Sequence, residues 1–139
     1  MDSIERTIHI DAPVERVWII VTEPEHLGQW FGDAGASRAG DTITMAWKEH
    51  GEAELRIVRE ERPNVFAYRW DANDPGIGDT LVEFTFATEG SGTRLTVVES
   101  GFGELRTATE RQRELREGNV GGWKHELGDL ERYAQTVTV

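Results

Sequence analysis

A chain of 139 residues with 37% apolar and 29% charged side chains has the size and composition of one globular domain, and folding at this length buries roughly two-thirds of the unfolded surface around a single core. A formal net charge of -11 repels phosphate backbones and anionic lipid, so neither nucleic acid nor a membrane surface is an expected partner. The absence of cysteine excludes disulfides, thiolate nucleophiles and cysteine-ligated zinc. The longest apolar run, Val17 to Val21, is far too short to cross a bilayer. The segment Met1 to Arg6 has no basic region leading into an apolar stretch, so cytoplasmic residence is the expectation.

Ile4, Ile8 and Ile10 alternate with Glu5, Thr7 and His9, the period of two of a half-buried strand. Pro13 then stands where a helix can open without losing a hydrogen bond, and Val14, Val17, Trp18 and Val21 make one apolar stripe. A second short helix is predicted from Thr22 and Glu25, spaced as a capping box, through Leu27, Trp30 and Phe31 to Gly32 and Gly35.

Beyond Gly40-Asp41 the period of two returns. It predicts strands around Ile43, Met45 and Trp47; around Ala53, Leu55 and Ile57; around Phe66, Tyr68 and Trp70; around Val82, Phe84 and Phe86; and from Thr93 to Ser100. Turn chemistry at His50-Gly51, Pro63-Asn64, Asp71 to Asp79 and Glu89 to Gly92 joins them into an antiparallel meander. On the last strand Leu95 and Val97 are assigned to the apolar face, with Glu83 and Glu99 turned away from it. No proline interrupts the remainder, where Thr107 and Glu110 suggest a capping box. Leu115, Val120, Trp123, Leu127, Leu130, Tyr133 and Ala134 then share one stripe of a long helix, with Lys124, Glu126, Asp129 and Glu131 assigned outward. Gly118, Gly121 and Gly122 cost this helix roughly 1 kcal/mol each against alanine, so either the helix bends or restarts there with Asn119 as a cap, or small residues allow a close approach; Gly121 and Gly122 either pack closely on the sheet or leave the cavity less filled. One continuous helix with a weak point near Gly118 is the expectation.

This order of elements, with Ala12-Pro13 leading to Val17-Trp18, Thr22-Glu23-Pro24-Glu25-His26-Leu27 running into Trp30-Phe31, Val82 to Phe86, Gly92 to Thr96, Ser100-Gly101-Phe102, and Gly122-Trp123 with Leu127 and Leu130, resembles the activator-of-heat-shock-protein-90-ATPase homologue branch of the START-like (SRPBCC) superfamily. The similarity covers nearly the whole chain. It implies an α+β helix-grip fold of the START and Bet v 1 type over residues 1–139. In that fold a curved antiparallel sheet wraps a long C-terminal helix, two short helices follow the first strand, and a cavity lies between sheet and helix. It implies no fixed chemistry, because similar domains include lipid carriers, hormone receptors, polyketide cyclases and chaperone regulators.

The candidate ligand-binding residues are the inward-facing Trp30, Phe31, Met45, Trp47, Leu55, Tyr68, Trp70, Phe84, Phe86, Leu95, Trp123 and Leu127, with tryptophan N–H and tyrosine O–H groups orienting an apolar or aromatic molecule. The bland alternative is an ordinary filled core. His9, His26, His50 and His125 lack metal-site spacing, and His26 and His125 are expected to face solvent. Asp71, Asn73, Asp74 and Asp79 lack the register of a calcium loop and are taken as a turn. No acid–base pair, nucleophile elbow or phosphate loop is visible, so no catalytic residue, metal or cofactor is expected. Three functions stand: a non-catalytic binder of a hydrophobic small molecule, a chaperone-regulating interaction module, and a polyketide cyclase-like enzyme. A monomer and a homodimer are both compatible with the pattern.

Overall fold

The computed structural model describes residues 2–49, 51–72 and 74–137, so His50 and Asn73, expected in turns, lie outside the described residues. Strand β1 (Ser3–Ile10) leads into helices α1 (Val14–Thr22) and α2 (Pro24–Trp30). The strands β2 (Ala36–Ala39), β3 (Thr42–Trp47), β4 (Gly51–Glu61), β5 (Val65–Trp70), β6 (Thr80–Glu89) and β7 (Gly92–Ser100) follow, then a 3-10 turn at Phe102–Glu104 and the long helix α3 (Thr109–Thr136).

All strand pairs are antiparallel, in the order β1-β7-β6-β5-β4-β3-β2. Strands β3 to β7 form the expected meander, and β2 extends it at the edge beyond β3. Strand β1 closes onto β7, from Ser3 opposite Ser100 to Ile10 opposite Thr93, so the chain crosses the full width of the sheet through α1 and α2 before β2. A bulge between Ile57 and Arg59 interrupts the β4–β5 register and leaves Val58 54% exposed, the local bend that a bulge provides for a curved sheet.

Alternation produced these strands because the sheet is covered on one face only: along β6, Val82, Phe84 and Phe86 are buried while Thr85 and Ala87 are exposed. Strand β2 was not foreseen. Its Ala-Ser-Arg-Ala sequence carries no apolar alternation and three of its four residues are exposed, as befits an edge paired only with β3.

Neither predicted capping box forms. Thr22 is the last residue of α1, and its hydroxyl donates back to the Trp18 carbonyl at 2.7 Å; α2 instead opens at Glu23, with Pro24 in its first turn. Helix α3 opens at Ala108 without a side-chain cap, and the Gln112 amide ties its first turn to the carbonyl oxygens of Gly103 and Leu105.

Helix α3 runs unbroken through Gly118, Gly121 and Gly122, and a Cβ on any of the three would meet no other atom within 4 Å. Close packing is therefore not what these glycines serve. The space between sheet and helices is filled unevenly. Under α1, Trp18 packs against Phe66 and Phe86 at ring-centroid distances of 6.1 and 5.1 Å, while Leu127 and Leu130 of α3 are buried in the same core.

Candidate functional site

A cleft of about 710 Å³ opens where the C-terminal end of α2, the β3–β4 hairpin, the end of β5 and the middle of α3 converge. Its aromatic wall is built by short-range geometry. Phe31, the residue capping α2, stacks on Trp123 of α3 with ring centroids 5.9 Å apart and planes within 10°, and meets Trp47 edge-on at 5.7 Å. The Trp47 indole N–H donates to the Phe31 carbonyl oxygen at 2.9 Å, fixing β3 against the end of α2. Trp30 and Trp70 complete the wall. Gly122, one residue before Trp123, lines the cleft and leaves open the room a side chain would take.

Behind Trp70 and Trp123 lies Glu99, only 1% exposed. It was expected to face away from the apolar side; strict alternation from Leu95 and Val97 places it inward, and β7 keeps that alternation. Its cost of burial is met by four donors: the indole N–H groups of Trp70 and Trp123, each at 2.8 Å, the Thr80 hydroxyl at 2.5 Å, and the Asn119 amide at 3.2 Å. One carboxylate thus joins β5, β6 and α3 and holds two wall indoles in place.

This network also revises how a ligand would be oriented. The indole N–H of every tryptophan on the wall is committed to a protein acceptor, that of Trp30 going to the Ile20 carbonyl oxygen at 2.9 Å. The Tyr68 hydroxyl is buried with no hydrogen-bond partner, and burial together with the nearby Glu99 and Glu126 pushes its pKa well above the ordinary value.

Glu126, assigned outward, lines the cleft instead, with its Oε2 buried and unpartnered. It follows Trp123 by three residues and so shares that face of the helix. Burial, reinforced by Asp129 and Asp33, raises its pKa to about 8. Asp129, also assigned outward, lines the same cleft, whereas Lys124 and Glu131 are exposed as expected.

His26, expected to face solvent, turns inward as well. It is 8% exposed, and its Nδ1 lies 2.7 Å from the Tyr133 hydroxyl, because α2 packs against α3. His125 does face solvent, with its Nε2 3.2 Å from Asp129. Asp74 and Asp79 of the acidic loop pair with Arg111 and Arg56.

Of the residues expected to bind a ligand, Trp30, Phe31, Trp47, Trp70 and Trp123 line the cleft. Met45, Leu55, Tyr68, Phe84, Phe86, Leu95 and Leu127 are buried in the core behind or beyond it; Phe84 backs Trp123 edge-on at 5.7 Å, and Phe86 lies against Trp18. The polar part of the site, Glu99, Asn119, Glu126 and Asp33, was missed. Period alone carries the signal for Glu99 and Glu126, each falling on the stripe of its aromatic or aliphatic neighbours.

A family model described as activator of Hsp90 ATPase homolog 1-like protein matches residues 11–135. The chain belongs to this family. Its helix-grip fold recurs in solved structures. The Aha1 dimer of Colwellia psychrerythraea is 18% identical, with 98% of each chain covered and a TM-score of 0.77. CalU16 of Micromonospora echinospora is 25% identical over 96% of this chain and 76% of that one, with a TM-score of 0.71. DynU16, a protein of the dynemicin biosynthetic locus, is 25% identical over 98% of this chain and 48% of that one, with a TM-score of 0.74. A comparison with curated proteins by sequence returned no match. Among the described residues, no helix is long and apolar enough to cross a membrane.

Proposed function

We propose that this member of the activator of Hsp90 ATPase homolog 1-like family binds an apolar or aromatic small molecule in the cleft between the end of α2 and the middle of α3. The observation that carries the proposal is the aromatic wall of Trp30, Phe31, Trp47, Trp70 and Trp123 around about 710 Å³ of space, a volume within the range of small-molecule pockets. Rings held by their own N–H bonds, as Trp47, Trp70 and Trp123 are, give a preformed surface that loses little freedom on binding. The 25% likeness to a protein of a biosynthetic locus supports a small-molecule role.

The test is a fluorescence titration with N-phenyl-1-naphthylamine, an uncharged probe that brightens in apolar surroundings, on the native chain and on Gly122→Leu. The added side chain has open space at its Cβ and sits on the cleft wall, so it fills the cleft without a clash in the core. Saturable binding by the native chain, weakened roughly tenfold or more in Gly122→Leu at undiminished thermal stability, is the expected result. Equal binding by both chains, or none by the native one, overturns the proposal.

A further inference from the structure

The polar part of the cleft lining is as selective as its rings. Its acidic members are Asp33, Glu49, Glu52, Asp71, Glu126 and Asp129, His125 is its one basic side chain, and neither lysine nor arginine is among the described lining residues. The chain as a whole carries 15 Lys and Arg against 26 Asp and Glu, so a lining that merely sampled the surface would include cations. The wall tryptophans offer no free N–H, because each N–H is spent on Ile20, Phe31 or Glu99, and of the four only Trp47 is partly exposed, Trp30, Trp70 and Trp123 presenting just the edge of the wall. Aromatic faces carry negative potential and carboxylate oxygens accept hydrogen bonds, so lining and rings favour the same sign of charge.

A second observation comes from underneath the wall. Tyr68 is 2% exposed, its hydroxyl has no partner, and Glu99 and Glu126 are the charges acting on it. The Oε2 atom of Glu126 is likewise buried without a donor. Glu126 Oε2 therefore leaves acceptor capacity unmet beside the cleft, while the Tyr68 hydroxyl keeps both its proton and its lone pairs unspent.

We propose that the ligand of this cleft is an organic cation, an aromatic or apolar body bearing an ammonium or guanidinium group that lies against the aromatic wall and pairs with the cleft carboxylates. The proposal rests on the small-molecule reading above and adds the ligand's charge to it.

Glu126 supplies a signature that general attraction to an acidic protein lacks. The groups facing it are Asp129 and His125 on α3, Asp33 on the loop after α2, and Tyr68 on β5 with Glu99 behind it; Arg132 pairs with Asp129 on the same helix. With a pKa of about 8 its carboxyl is largely protonated at neutral pH. A cation bound beside it favours the ionised form, so binding at pH 7 releases a proton and strengthens as pH rises toward 9.

Three naphthylmethyl probes, the first two isosteric, isolate the charge: (naphthalen-1-ylmethyl)trimethylammonium, its uncharged carbon isostere 1-neopentylnaphthalene, and the anion 1-naphthylacetate, titrated calorimetrically into the native chain. The ammonium ion is expected to bind roughly tenfold or more tighter than the isostere, with the anion weakest. Its binding should release a proton at pH 7, seen as a dependence on buffer ionisation enthalpy, and Glu126→Gln should lose both that release and the pH dependence. Isostere or anion binding as tightly as the cation overturns the charge assignment while leaving the small-molecule reading standing. An ammonium preference that persists in Gly122→Leu also overturns it, because attraction to the acidic surface then accounts for the ranking. Failure of all three probes to bind overturns the small-molecule reading itself.

Discussion

Glu99 occupies a strand position whose neighbours on the same face, Leu95 and Val97, are apolar, and it stays there because Trp70, Trp123, Thr80 and Asn119 all donate to it. Replacing it by glutamine keeps the shape and turns one acceptor oxygen into a donor, so at least one of those buried donors is left facing another. The expected cost is about 1–3 kcal/mol, the penalty of a buried polar group left unsatisfied. Urea unfolding of Glu99→Gln checks this, and an unchanged midpoint would mean that the network contributes nothing net. Alternation read in the wrong register turns Glu99 away from the apolar face, whereas counting in twos from Leu95 and Val97 puts it inward; Glu126 likewise falls three residues after Trp123, on the inner stripe. Trp30, Phe31, Trp47, Trp70 and Trp123 were legible because for an aromatic residue type and spacing agree.

Elements were legible to the degree that they bury one face. β6 and β7 announce themselves by alternation, and α1 by its stripe; β2, an edge strand of small and polar residues, carries no such pattern and exists because β3 offers it hydrogen-bonding partners. The glycines of α3 are the informative exception in a helix. Gly118 and Gly121 lie in open space and do not line the cleft, whereas Gly122 does. Alanine at either of the first two restricts the unfolded chain and suits the helix, so Gly118→Ala and Gly121→Ala are each expected to stabilise the protein by about 0.4–1 kcal/mol. Denaturation midpoints measure that gain, and loss of stability at either position would mean that the helix needs its glycine there. The contrast with Gly122 separates a propensity cost that can be removed freely from one that keeps space on the cleft wall.

At the scale of the whole molecule, the sheet–helix interior divides into a filled half under α1 and an open end under the middle of α3, and the carboxyl groups are distributed accordingly. On the exposed surface Glu60, Glu61 and Glu89 have their pKa values lowered by hydrogen bonds from Arg38, Arg59 and Arg94 respectively, with His9 adding to Glu89. For these groups the favourable contribution is present above the unfolded value near 4.5 and is lost as pH falls through the folded values, so it is already complete at neutrality. Glu126 has the opposite sign. Its pKa rises from 4.5 to about 8 on folding, so between those values the native state binds a proton that the unfolded chain has released. Stability from this group is full below pH 4.5 and declines as pH rises through about 8. A net charge of -11 adds self-repulsion in the same direction as further groups ionise. The thermal midpoint of the native chain is therefore expected to fall between pH 6 and pH 9. In Glu126→Gln, which cannot ionise, that fall should be shallower and the midpoint at pH 9 higher than the native chain's. Parallel melting curves for the two chains across this range decide the matter, and identical slopes would show that Glu126 does not carry the proton that its burial beside Asp33 and Asp129 assigns to it.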